Sequence, residues 1–192
     1  MSAFLLSTAV IFVAELGDKS QLMAMTFAAR YRARDVLIGI TVATLIVHLA
    51  SVGIGAFVGS TFGDSQGWIN IVAGVAFLVF AAWTLRGDEL TDEEAEKARR
   101  ATGMAILAVG TAFFLAELGD KTMLATITLA TTEGWLGTWI GSTLGMVLAD
   151  ALAIWVGYLL GKRLPERAIR LGAAAAFVVF GVLLVVQGVR AL

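Results

Sequence analysis

Phe12-Val13-Ala14-Glu15-Leu16-Gly17-Asp18-Lys19-Ser20-Gln21-Leu22-Met23-Ala24-Met25-Thr26 returns later in the chain as Phe114-Leu115-Ala116-Glu117-Leu118-Gly119-Asp120-Lys121-Thr122-Met123-Leu124-Ala125-Thr126-Ile127-Thr128. The Glu-Leu-Gly-Asp-Lys core is identical in the two copies, and the register runs on without a gap. Ile38-Gly39 matches Ile140-Gly141, Thr41 matches Thr143, Gly55 matches Gly157 and Gly59 matches Gly161. After a two-residue slip, Phe77-Leu78-Val79-Phe80 matches Phe177-Val178-Val179-Phe180. Self-similarity at this spacing marks a duplicated architecture. Residues 1–86 form one half and 103–192 the other, joined by an acidic linker over 87–102.

The medium around each copy is apolar. Of the 192 residues, 59% are hydrophobic and 15% charged, with a mean hydropathy of +0.88. A soluble domain of this size needs more charge to cover its surface. The apolar residues fall in six blocks, about Ala3–Ala28, Val36–Gly59, Trp68–Leu85, Gly103–Ala130, Trp135–Gly161 and Ala168–Val189. Each is about the 20 residues that a spanning helix needs. The expected fold is an all-α integral membrane protein of six transmembrane helices, three per repeat. The first block carries Glu15 and Asp18 and has no basic residue before it, so it reads as a retained span rather than a cleaved signal peptide. With no cysteine and one histidine, His48, the chain offers neither disulfides nor a site of several soft ligands.

Basic residues alternate between connections. Arg30, Arg32 and Arg34 follow the first block, Arg86, Lys97, Arg99 and Arg100 the third, and Lys162, Arg163, Arg167 and Arg170 surround the fifth-to-sixth connection. The other connections carry only Asp64 and Glu133. The positive-inside rule then places both termini away from the cytoplasm. Three spans per half invert the second half relative to the first, and the opposite charge of the matching loops agrees: Arg30–Arg34 against Thr132-Glu133-Gly134. Inverted repeats of this kind place a substrate site near the midplane and alternate its access. In the linker, Thr91 and Glu94 have capping-box spacing, and the segment reads as a solvated linker helix with an acidic start and a basic end.

Ionisable groups at the bilayer centre are costly and mark function. Glu15 and Asp18, and equally Glu117 and Asp120, are three apart and share a helix face, and Gly17 and Gly119 between them permit close helix approach or a local opening that frees a carbonyl. If the halves pack about a pseudo-twofold axis, four carboxylates meet, with hydroxyls expected from Ser20, Thr122, Thr26 and Thr128. This is an oxygen cage for a hard divalent cation such as calcium, manganese or magnesium. Four carboxylates and the two lysines, Lys19 and Lys121, sum to −2, so one divalent ion or two protons neutralise the cluster. That arithmetic points to cation/proton exchange. The competing structural reading makes Glu15–Lys19 and Glu117–Lys121 i,i+4 ion pairs that fasten the bundle; otherwise the lysines neutralise the acids without touching metal. His48 and Asp150 hold matching positions in the second and fifth blocks, with flanking roles in proton passage or ion access. Gln21 could add an amide oxygen, although its counterpart is Met123.

The two copies of Glu-Leu-Gly-Asp-Lys-[Ser/Thr] resemble the signature of the cation exchanger family that includes transmembrane protein 165, chloroplast envelope proteins and bacterial manganese exporters. The resemblance covers the whole chain. It implies exchange of manganese or calcium against protons, with Glu15, Asp18, Glu117 and Asp120 as ligands of the transported ion, and no permanent cofactor. It implies no enzyme activity and no nucleic-acid partner, and for this short form a multi-pass place in a bacterial cytoplasmic membrane. Gly-rich helix faces would permit a homodimer. Two other readings fit six spans: a basic amino-acid exporter, needing fewer acids and more room, and an intramembrane aspartyl protease pairing Asp18 with Asp120. Against the protease, the motif begins with Glu in both copies and no Tyr precedes either Asp.

Overall fold

Leu16-Gly17-Asp18 stops one helix and starts another, and Leu118-Gly119-Asp120 does the same in the second half. The computed structural model describes residues 2–86, 104–160 and 166–192. In it the first apolar block is two helices, α1 (Ala3–Glu15) and α2 (Lys19–Ala28). Its repeat is α5 (Ala105–Glu117) and α6 (Lys121–Thr132). The uninterrupted helices are α3 (Ala33–Thr61), α4 (Gln66–Arg86), α7 (Trp135–Leu160) and α8 (Glu166–Arg190), with a 3-10 turn at Gly63–Ser65. The described residues are thus all-helical. The Thr91–Glu94 capping box lies outside them.

The expectation of two continuous spans over Ala3–Ala28 and Gly103–Ala130 is corrected by the backbone. Gly17 has φ 77° and Gly119 φ 79°, the left-handed conformation that ends helices. The following aspartates are N-caps: Asp18 accepts from the Ser20 N–H at 3.2 Å and Asp120 from the Thr122 N–H at 3.5 Å. A C-terminal glycine followed at once by a capping aspartate leaves no register for the helix to continue. Four helices, α3, α4, α7 and α8, are long and apolar enough to cross a membrane, whereas α1 and α5 are shorter apolar helices. At 1.5 Å per residue, a 13-residue helix rises only about 20 Å of a hydrocarbon core about 30 Å thick. The break at Gly119 yields a direct prediction. A Cβ there meets nothing within 4 Å, so Gly119→Ala has only backbone strain to bear. It is expected to cost about 1–2 kcal/mol, read as a lower thermal midpoint in detergent; an unchanged midpoint would show that the break is not strained.

The halves interlock rather than sit side by side. The helix α1 packs on α7 and α5 on α3, so each half's broken pair lies against the other half's long helix. Matched glycines make both approaches: a Cβ at Gly39 would meet Val109 Cβ at 2.9 Å on α5, and Gly141 abuts Phe4 on α1. The α4–α8 pair closes the same way, since a Cβ at Gly74 would meet Gly181 O at 2.6 Å and one at Gly181 would meet Gly74 O at 2.8 Å. Between them Phe77 meets Phe180 edge-on at 4.8 Å and Phe177 at 5.7 Å. The repeated Phe motif therefore packs against its own copy. Large apolar side chains such as Val72, Val79, Val179 and Leu183 cover the outside, as a lipid-facing surface requires.

Candidate cation site in the helix breaks

Both breaks fall where the two halves meet, so the buried acids come from opposite halves. Glu15 closes α1, Asp18 caps α2, Glu117 closes α5 and Asp120 caps α6; all four are buried. Glu15, Asp18 and Asp120 each place a carboxylate oxygen so that all three lie within 4.8 Å of one another. Glu117 stands outside that trio, close enough to Glu15 for their charges to interact. The helix ends contribute as well. The N-termini of α2 and α6 bring positive dipole ends and free N–H groups to the capping aspartates. The chain reverses tightly there, with Asp18 N–H on Glu15 O at 3.0 Å and Asp120 N–H on Glu117 O at 3.2 Å.

Hydroxyls hold the glutamates. Ser20 Oγ donates to Glu15 Oε2 at 2.5 Å, and Thr122 Oγ1 donates to Glu117 Oε2 at 3.0 Å, also lying 3.4 Å from Asp120 Oδ2. Each glutamate's Oε1 is buried with no hydrogen-bond partner among the described residues. Thr26 and Thr128 do not join them. Their hydroxyls donate to the carbonyls of Leu22 and Leu124 in their own helices at 2.8 Å. The helix period explains the difference: α2 and α6 start at the break, so these threonines sit two turns away from it.

The lysines pair across the halves. Lys121 Nζ donates to Asp18 Oδ1, with both side chains buried, and Lys19 Nζ lies 3.7 Å from Asp120 Oδ1 with 19% of its side chain exposed. The competing reading of Glu15–Lys19 and Glu117–Lys121 as i,i+4 pairs gives way, among the described residues, to these crossed Lys–Asp pairs. With the helix broken between them, Glu and Lys no longer stand on one helical face, and each lysine reaches the other copy's aspartate.

Sequence reasoning missed what braces the breaks. Gln21 Oε1 accepts the Gly17 N–H at 2.8 Å while its Nε2 donates to Ala149 O on α7 at 2.8 Å. At the matching place Met123 Sδ accepts the Gly119 N–H at 3.2 Å. Gln21 and Met123 look unrelated in sequence, yet both satisfy a glycine N–H that a broken helix leaves over. Their common offset of four from the glycine was the available signal. Beside the site, Thr44 Oγ1 donates to Met146 Sδ at 3.1 Å, joining α3 to α7 at matching repeat positions. One turn on, His48 and Asp150 are fully buried. Neither His48 nitrogen and neither Asp150 oxygen has a hydrogen-bond partner among the described residues, and Asp150 lies within charge-interaction range of Glu15 and Asp18.

Buried carboxylates at paired helix breaks, inside a bundle of helices apolar enough to cross a membrane, define a membrane protein built to handle cations. The family described as divalent cation/proton antiporter GDT1 matches residues 3–92 and 105–191, and the chain belongs to it. It is accordingly a cation transporter and not an enzyme. A Vibrio cholerae protein named "Putative manganese exporter" is 34% identical over 181 residues, 92% of this chain and 87% of that protein. A GDT1-like protein of Synechocystis is 31% identical over 200 residues, covering 95% of this chain and 96% of its own. The chloroplastic protein PAM71 of Arabidopsis thaliana is 34% identical over 211 residues, 97% of this chain but 56% of the longer plant protein. No solved structure matches.

Proposed function

We propose that this chain exports a divalent cation, manganese first and calcium second, from the cytoplasm in exchange for protons, with Glu15, Asp18, Glu117 and Asp120 as the ion's ligands. The observation that carries the reading is the meeting of Glu15, Asp18 and Asp120, acids of both halves, within 4.8 Å. Three buried carboxylates that close repel one another strongly unless a cation or protons share the site. All-oxygen donors suit manganese and calcium, and the name of the Vibrio cholerae relative favours manganese. In this reading α1–α2 and α5–α6 each cross the membrane as a broken helix. With α3, α4, α7 and α8 they complete six spans in two inverted halves, with both termini outside the cytoplasm. Broken helices at a repeat interface are where inverted-repeat transporters bind their substrates. His48 and Asp150 flank the site, and the buried Asp150 carboxylate is a second stop for a proton. Gly-rich faces leave room for a homodimer.

Charge balance makes the exchange ratio testable. The four acids and two lysines sum to −2, so two protons should leave the site for each ion that enters. In proteoliposomes under an imposed pH gradient, manganese uptake with a proton-to-metal ratio near two is the expected result. A ratio well away from two, or uptake indifferent to the gradient, would sink the competition of ion and protons for one set of carboxylates.

A further inference from the structure

We infer that the groove between α2, the start of α3 and the second half of α7 binds an anionic phospholipid, its acyl chains along the apolar wall and its phosphate at Arg32 and Arg34. The groove holds about 650 Å³ and is lined by Met25, Ala29, Ala33, Ile154, Trp155 and Tyr158 among others, none of them charged. An ion entering it would give up hydration for nothing in return, so it is no route to the carboxylates. A hydrocarbon chain loses nothing there.

The mouth decides which lipid. Ala29 and Ala33 line the groove, and the chain between them is Arg30-Tyr31-Arg32, with Arg34 next; the three arginines are exposed. The single nearby carboxylate in this connection is Asp35, 3.7 Å from Arg34, so three arginines against one acid leave a net charge of +2. On the facing wall Trp155 and Tyr158 are 59% and 87% exposed, and aromatic side chains of this kind sit at headgroup level. Arginine clusters at that level attract anionic headgroups.

A second groove supplies an internal control. It holds about 540 Å³ between α3, α4 and α6, lined by Val58, Phe62, Trp68, Val72, Ile127 and Thr131 among others. Its neighbouring connections, Phe62-Gly63-Asp64-Ser65 and Thr132-Glu133-Gly134, carry acids and no Lys or Arg. It is apolar like the first but has no cationic mouth, so headgroup selection should belong to the first alone.

The test is native mass spectrometry of the detergent-purified chain, titrated with phosphatidylglycerol or phosphatidylcholine of the same acyl chains. Wild type should retain phosphatidylglycerol preferentially. Arg32→Gln with Arg34→Gln should weaken its retention about thirtyfold, at about fivefold per arginine, and leave phosphatidylcholine unchanged. Ala29→Phe keeps the arginines but obstructs the groove, and should lower retention of both lipids. Phosphatidylglycerol with brominated acyl chains should quench wild-type tryptophan fluorescence, with the largest share lost in Trp155→Phe. Equal retention of the two lipids, a preference surviving the double arginine change, or quenching indifferent to Trp155→Phe would each overturn the assignment. None of these readouts depends on which ion is transported.

Discussion

Exchange of either Glu15 or Glu117 for glutamine is expected to abolish proton-driven manganese uptake, by at least about a hundredfold, in protein that still folds. Folding should survive because glutamine is isosteric and its amide oxygen can accept the same hydroxyl: Ser20 Oγ at Glu15 and Thr122 Oγ1 at Glu117. What is lost is one negative charge, which moves the cluster from −2 to −1, too little for a divalent ion. At an effective dielectric of about 20, two unit charges about 4 Å apart interact by about 4 kcal/mol. Losing even two-thirds of that is about a hundredfold in affinity. The two positions should differ in kind. Glu15 belongs to the converging trio and Glu117 does not, so Glu15→Gln should raise the manganese concentration needed for half-maximal uptake, whereas Glu117→Gln should act more on the maximal rate. Uptake above a tenth of the wild-type rate in either folded variant would mean that two motifs are not both required.

Much of this arrangement could be read from the chain, and what could not has identifiable physical causes. Apolar blocks separated by charged connections gave the long helices, and α3, α4, α7 and α8 fall where hydropathy puts them. The repeat placed four acids in equivalent positions because duplication copies the backbone along with the sequence. The break was encoded too: glycine then aspartate then a helical run is a helix stop followed by an N-cap. Continuous hydropathy through Leu16 and Leu22 outweighed that signal. Reading one helix instead of two then misplaced two sets of partners. It kept Lys19 beside Glu15, and it brought Thr26 and Thr128 near the acids. The crossed lysine pairs had no local signal at all, because which aspartate a lysine reaches depends on how α1 and α5 approach through glycines far away in sequence, such as Gly39 and Gly141. Gln21 and Met123 were opaque for another reason. They share a hydrogen-bonding task, not a chemical type.

The crossed pairs are unequal, and that inequality predicts the second large effect. Lys121 and Asp18 are both buried and in direct contact, whereas Lys19 is partly exposed and 3.7 Å from Asp120. Removing one partner of a buried ion pair costs about 3–5 kcal/mol, because the other charge is left uncompensated. Lys19 keeps part of its hydration and stands farther from its buried partner, so its removal should cost less than that of Lys121. Lys121→Gln should therefore lower the thermal midpoint in detergent sharply, and Lys19→Gln by less. Asp18→Asn added to Lys121→Gln removes the charge that Lys121 had balanced and should recover part of the lost stability, without recovering transport. Recovered folding with absent uptake would separate the two duties of Asp18, holding Lys121 and holding the ion. Restored uptake in the double variant would instead make Asp18 a structural counter-charge and confine ion binding to the remaining acids. Equal losses for the two single lysine changes would show that the crossed pairs carry the same load, and that burial does not set their worth.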